Sequence, residues 1–325
     1  MSATPKAAPK PPPLPASQRQ IFEQIREDLW FGDADPNRTE LSAAKSMAAA
    51  TGKALGLKPF PVVAQKVLSL LSNPDTHTSK ITDAIEKDPG LTVKLLQVTN
   101  SVMYRGATDI TNISDAVVRL GRKTVMELVA GVAAMGMFSD TQGSGLTIRN
   151  HCARVAAIGR VLSTEWKYKK VDSIFISGLL HDVGKLLMMQ VGDIDYNKLD
   201  QTAVHTPDEI HLHERAQLGF DHAVLGAHVL VAWKIPDSIA SIVALHHQPG
   251  RAYAGDPEKG LPVALLRLAD KIEYQLLQDT ALDDAFARAV AADDAATYAE
   301  YSADMLVAMW PKFVESTAEI VSILK

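Results

Sequence analysis

From Leu57 onward the chain repeats one texture: apolar residues at three- and four-residue steps, in helix-length stretches parted by short polar breaks. PVVAQKVLSLLSN puts Val63, Val67, Leu70 and Leu71 on one face, the spacing of an amphipathic helix. SKITDAIEKD, LTVKLLQVTNSVMY and ISDAVVRLGRKTVMELVAGVAAMGMF follow with the same period, and strand alternation is nearly absent. The breaks agree with it. Asn73-Pro74-Asp75 predicts a turn, Thr78 or Ser79 a cap, Asp88-Pro89-Gly90 a stop, and Ser114 a cap for a helix beginning near Ala116. The fold class this predicts is all-α.

After a loop at Ser139 to Gly145, a helix starts near Leu146 and runs through NHCARVAAIGRVLSTEWKY. Next comes Ile174 to Gln190, IFISGLLHDVGKLLMMQ, an apolar helix-like stretch with His181 and Asp182 in its middle and Asp172 or Ser173 as its cap. Residues 191–212 are polar and irregular, and a further helix begins near Asp208 or Glu209. Asp221 caps HAVLGAHVLVAWK, Ile235-Pro236-Asp237 turns the chain into SIASIVALHH, and a Gly/Pro-rich loop precedes PVALLRLADKIEYQLL. The last fifty residues predict two or three amphipathic helices, a C-terminal extension over 276–325.

Upstream, residues 1–16 are rich in proline and read as a disordered tail. Residues 17–56 predict two helices separated by DADPN: IFEQIREDLW, with Ile21, Phe22, Ile25 and Leu29 on one face, and LSAAKSMAAATGKALGL, closed by Gly56 as a C-terminal cap.

With 47% hydrophobic and 22% charged residues, the 325-residue chain has the composition of a soluble globular protein. A net charge of -5 with scattered basic residues excludes a phosphate-backbone stripe, so no nucleic acid is expected as a ligand. The single cysteine, Cys152, fits a reducing compartment. No run of about 18 apolar residues is apparent and the N-terminus lacks a secretory apolar region, so the expected location is the cytoplasm, off the membrane.

The order FPVVAQKVLSLLSNPD, IEKDPGLTVKLLQVTNSVMY, ISDAVVRLGRKTVMELV resembles the HDOD family, the HD-related output domains of bacterial signalling proteins. The resemblance covers about Leu57 to Tyr274. It implies an HDOD domain over 57–275, with an N-terminal helical half (57–145) packed on an HD-like helical bundle (146–275).

Within that frame His151, His181, His222, His246 and His247 join Asp182 and Asp270 as candidate ligands of a divalent ion. Imidazole with carboxylate suits zinc, manganese, iron or nickel. The order His151, His181-Asp182, Asp270 is similar to the H…HD…D signature of the HD superfamily of metal-dependent phosphohydrolases. His222 and the His246-His247 pair match the extra ligands of its binuclear HD-GYP branch, which hydrolyses cyclic dinucleotides. Lys185 resembles the lysine of the HDxGK motif and, in a hydrolase, would be the catalytic group holding a phosphate oxygen. The chain departs from that branch at Thr147, where the branch places a glutamate, and in HHQPGRAYAGDPEKG, which lacks the GYP signature, so the site takes one metal or two. His77, His205, His211, His213 and His228 read as surface or structural, Met135, Met137 and Phe138 as core, Trp233 as packing on the His-Asp bundle, and Asn100 and Ser101 as capping or bridging groups.

The resemblance implies a regulatory module working through contacts with signalling proteins, its metal site structural or ligand-sensing. The alternative is a phosphohydrolase acting on a nucleotide or cyclic dinucleotide; a third reading is a metal-free buried hydrogen-bond network.

Overall fold

The three- and four-residue apolar period becomes helix through most of the described residues, although LTVKLLQVTNSVMY is helical only as far as Thr99. The computed structural model describes residues 40–139, 142–165, 171–191, 207–247, 252–253, 257–278 and 281–324, and among these residues there is no strand. The proline-rich tail and the IFEQIREDLW helix lie outside the described residues.

After α1 (Glu40–Leu57), four helices make the first half: α2 (Val62–Ser72), α3 (Thr78–Ile85), α4 (Pro89–Thr99) and α5 (Ile113–Gly136). Helices α2, α3 and α4 pack against α5. The breaks fall as expected, with details that differ. Asp88 both interrupts the chain and caps α4, its Oδ1 accepting from the Leu91 N–H at 3.0 Å, with Pro89 in the first helical position. The cap of α5 is Asn112, not Ser114: Asn112 is extended (φ -147) and accepts from Asp115 N–H, which puts Ser114 inside the helix. Thr78 and Ser79 likewise lie within α3, which follows His77 with no side-chain cap. Gly56 does not cap α1. The Lys58 N–H still bonds the Ala54 carbonyl at 2.9 Å, and the helix stops only ahead of Pro59, which has no N–H to continue it.

Helix α5 is not continuous. Gly121 takes φ +82, a conformation that costs a side-chain-bearing residue energy and breaks the helix into two arms. Arg122, just past the bend, donates to the carbonyls of Leu70, Asn73 and Thr76 and so closes the open end of α2. Asn100 pins the loop before α5, donating to the Ile110 carbonyl and accepting from its N–H, both at 2.7 Å, and Ser101 donates to the Val98 carbonyl. These are the structural roles expected for them. Met135 and Phe138 are core.

The second half comprises α6 (Ser144–Glu165), α7 (Val171–Leu180), α8 (Val183–Val191), α9 (Pro207–Leu218), α10 (His222–Ala232), α11 (Asp237–Leu245) and α12 (Pro257–Gln278). Its hub is α7, which packs on α5, α6, α11 and α12. The apolar stretch from Ile174 to Gln190 is therefore apolar on all sides because helices surround it. Ser173–Val191 reaches the length and hydropathy of a membrane span, against the expectation that no such run exists, but it is 83% buried within the protein. It is also two helices rather than one, because His181 and Asp182 form a turn between α7 and α8. Asp172 and Ser173 fall inside α7, so neither caps it.

Besides α5 on α7, three further elements tie the halves together. Helix α1 packs on α8 and α10. Phe60 meets Trp233 at 5.3 Å between ring centroids, so Trp233 reaches the segment before α2 rather than only the His-Asp bundle. The C-terminal residues fold as α13 (Asp284–Ala291), α14 (Asp294–Tyr298) and α15 (Ala303–Leu324), and α15 packs on both α6 and α4. Arg149 donates to the Leu324 carbonyl at 2.9 Å and Lys94 to that of Ile323 at 3.3 Å, two cations set at the negative end of the helix.

Candidate metal centre

A carboxylate and a histidine in the turn after α7 are surrounded by apolar helices, and such groups must find partners or lose charge. The structure brings all seven candidate ligands to this turn. His151 comes from α6, His222 from the first position of α10, His246 and His247 from the end of α11, and Asp270 from α12. They form two clusters, Asp182 with His222, His246 and His247, and His151 with His181 and Asp270; within each, one ligand atom per residue lies within 4.8 Å of the others.

Asp182 stands between the clusters. Its Oδ1 is 3.0 Å from His222 Nε2 and 4.0 Å from His246 Nε2, whereas its Oδ2 is 3.5 Å from the Nε2 atoms of both His151 and His181. The turn geometry matters here, because on a continuous helix His181 and Asp182 would diverge by about 100°.

Each ring is oriented from behind. The Nδ1 atoms of His181 and His246 lie 2.9 and 2.6 Å from the carbonyls of Gly178 and Val243, which assigns their protons to Nδ1 and leaves Nε2 as a lone pair facing inward. His151 and His222 are backed by carboxylates instead: Glu273 at 2.7 Å and Glu214 at 2.6 Å from Nδ1. Glu214 also accepts from the His222 backbone N–H at 2.8 Å, and Arg154 holds the second oxygen of Glu273.

Neither glutamate stood out in the sequence. Glu273 follows Asp270 by three residues, one turn along the same helix, a spacing that places both on one face; Glu214, on α9, gives no such local signal. His211 was also missed as a neighbour: it is buried, and its ring stacks on His247 at 4.3 Å and 8°. His228 is buried within α10, His77 and His213 are exposed, and His205 lies outside the described residues. Lys185 donates to Asp182 Oδ2 at 2.6 Å. Thr147 is exposed, one turn before His151.

The charges are strongly coupled. Burial opposes a charge on His151, but Glu273 and Asp270 outweigh it and hold its pKa at about 10. Burial likewise opposes charge on His222, where Glu214 and Asp182 prevail and raise it to about 9. Burial, reinforced by neighbouring imidazoles, pushes His246 and His247 well down, and burial also lowers His181. Burial disfavours the carboxylate of Asp182, yet His181, Lys185 and His222 hold it well below the usual range.

Does a cation fit? His246 Nε2 is a buried acceptor with no hydrogen-bond donor, and Asp182 Oδ1 and Asp270 Oδ1 have imidazole Nε2 atoms beside them at 3.0 and 3.2 Å; acceptors converging in this way favour a positive centre. Imidazole nitrogen with carboxylate oxygen is the donor set of a divalent transition metal. The residues fit. Asp182, His222, His246 and His247 would hold one ion, and His151, His181 and Asp270, with Asp182 alongside, would line a second position. Glu214→Gln leaves the His222 ring in place but weakens its backing charge. A loss of about 10- to 100-fold in metal affinity is expected, measured by competition with a chelating dye.

The HDOD domain family matches residues 57–249, a span that ends before Asp270 and Glu273. A curated protein of Treponema pallidum described as uncharacterized is 25% identical over 193 residues, 58% of this chain, and the chain spans only 37% of that protein's length. A Shewanella amazonensis structure, provisionally described as a phosphohydrolase, is similar over 86% of this chain and 98% of its own, at 21% identity and a TM-score of 0.66. An HDOD domain protein of unknown function from Geobacter sulfurreducens is similar over 86% of this chain and 99% of its own, at 19% identity and a TM-score of 0.63.

Proposed function

Since the chain belongs to the HDOD domain family, we propose that it is a bacterial cytoplasmic signal-transduction module working through contacts with signalling proteins, with a divalent ion at the His/Asp centre in a structural or ligand-sensing role. The observation that carries this reading is where the centre lies. Its ligands come from α6, the α7–α8 turn, α10, the end of α11 and α12, and the side chains of His181, Asp182, His222 and His246 are 2% exposed or less. An ion so enclosed fixes the relative positions of helices, and a change in its ligation becomes a change in their packing. Thr147, exposed where the binuclear hydrolases place a ligand, supports the same reading.

A second reading is favoured by Asp182, whose two oxygens face different clusters. Two ions sharing a carboxylate are a usual arrangement for phosphodiester hydrolysis, in which the metals orient the phosphate and lower the pKa of a bound water. In that reading Lys185 steadies a phosphate oxygen.

The test is metal analysis of protein purified without a histidine tag and reconstituted with manganese, iron or zinc, followed by assay against a cyclic dinucleotide and nucleoside phosphates. About one ion per chain and no turnover above a metal-only blank is the expected result. Turnover that disappears in His181→Ala would replace the regulatory reading by the hydrolase, and protein that takes up none of the three metals would remove the ion from both.

A further inference from the structure

Five candidate imidazoles meet in this centre, and four of them are held in the same way. His151, His181, His222 and His246 each have Nδ1 within hydrogen-bond distance of an oxygen behind the ring, supplied by Glu273, Gly178, Glu214 and Val243. Metal-binding histidines are ordinarily held by such a partner, which fixes the direction of the ligand nitrogen. His247 is the exception. Its Nε2 faces His222 Nε2 at 2.9 Å, and its Nδ1 is buried with no hydrogen-bond partner.

Rings touch His247 instead. His246 lies tilted against it at 3.9 Å between centroids and His222 stands edge-on at 4.8 Å, but both belong to the same ligand set. His211 comes from outside that set and lies nearly parallel, at 4.3 Å and 8°. Its own Nδ1 is buried without a partner, so what it presents to His247 is a flat face and not a hydrogen bond.

His211 is placed by its helix. On α9 it precedes Glu214 by one turn, which puts both side chains on one face. Glu214 backs His222, and Arg215 next to it donates at 2.7 Å to Asp221, the residue that caps α10. A helix anchored in this way reaches two rings that other helices supply, His222 of α10 and His247 at the end of α11.

We propose that His211 is a positioning residue of the metal centre: stacked face to face, it fixes the His247 ring where the other four rings have a hydrogen bond, so that α9, through His211 and Glu214, sets two of the four ligands of the Asp182 ion. This rests on the metal-site reading above and names the helix through which that site is adjusted. A shift of α9 turns His247 and His222 together.

The experiment is binding of Co2+ alone, followed by calorimetry and by its visible absorption, which reports the ligand geometry. His211→Phe, which keeps a flat ring and removes both nitrogens, should bind within about 2-fold of wild type and show the same bands. His211→Ala should bind roughly 2- to 10-fold more weakly, with shifted bands. His211→Leu fills the space without a flat face and gives the same reading if the alanine variant does not fold. Wild-type binding in the alanine and leucine variants, or a phenylalanine variant as weak as they are, overturns the role of His211 and leaves the metal site standing. Weaker binding with unchanged bands would mark a general loss of packing and overturns it as well. No Co2+ bound by wild type overturns the metal site itself and the inference with it.

Discussion

Asp182→Ala is expected to emerge from purification with no bound divalent metal and with a melting temperature lowered by roughly 10 °C. Two effects add. The substitution removes the carboxylate that faces both clusters, leaving His222, His246 and His247 with no anionic ligand and His151 and His181 with Asp270 alone. It also leaves Lys185 buried without its 2.6 Å partner, and breaking a buried ion pair from one side costs about 3–5 kcal/mol. At about 2.1 cal/mol/K of unfolding entropy per residue, 325 residues give about 1.5 °C per kcal/mol, so the broken pair accounts for about 5–7 °C and the lost ion for the rest. Asp182→Asn separates the two contributions: it keeps the volume and an acceptor for Lys185, so the stability loss should shrink while metal binding stays absent. Asp182→Ala protein that holds metal at the wild-type stoichiometry would remove Asp182 from the ligand set.

Gly184→Ala should be at least as damaging, through sterics alone. A Cβ on Gly184 would lie 1.9 Å from the His222 carbonyl oxygen and 2.7 Å from its carbon, both backbone atoms that cannot swing aside. Opposite, Gly226 offers the matching gap, its own added Cβ falling 3.2 Å from the Gly184 nitrogen. Helices α8 and α10 therefore cross with backbone nearly touching backbone, and one methyl group forces them apart. A loss of about 3 kcal/mol or more is expected, read as a lower denaturant midpoint or as failure to accumulate in soluble form. The displaced helices carry Lys185 and His222, so whatever protein folds should also bind metal less tightly. A midpoint within error of wild type would mean that the crossing is wider than the structure has it.

The apolar period was enough for the helices, because most bury one face and polar residues mark their ends. It was not enough for their interruptions. Nothing between Ile174 and Gln190 interrupts the apolar run, since a core stretch is apolar whether or not the helix continues, and the turn falls at His181-Asp182, the two residues that face the centre. Caps were misplaced for a related reason. Asn112 and Ser114 are both good caps, and Asn112, two residues after the Ile110 that Asn100 holds across ten residues, takes the role.

At the centre, the seven candidate ligands were found because their order resembles a known signature, and the fold does bring them together. Glu214, Glu273 and His211 carry no such mark. Their roles come from lying behind a particular ring, which is a property of packed helices and not of spacing along the chain. The glycine of HDVGK had no role assigned from the sequence either, and it acquires one only when α10 is placed against α8.

Helix α1 begins at Glu40, lies ahead of the HDOD match, and packs chiefly on α8 and α10. The amino-terminal arm of the molecule is thereby joined to the wall of its ionic interior, with only one helix diameter, about 10 Å, between them. A displacement of α1 would act on α8 and α10, the helices that carry Lys185 and His222. In engineering terms the anchor point and the charged chamber share a bulkhead.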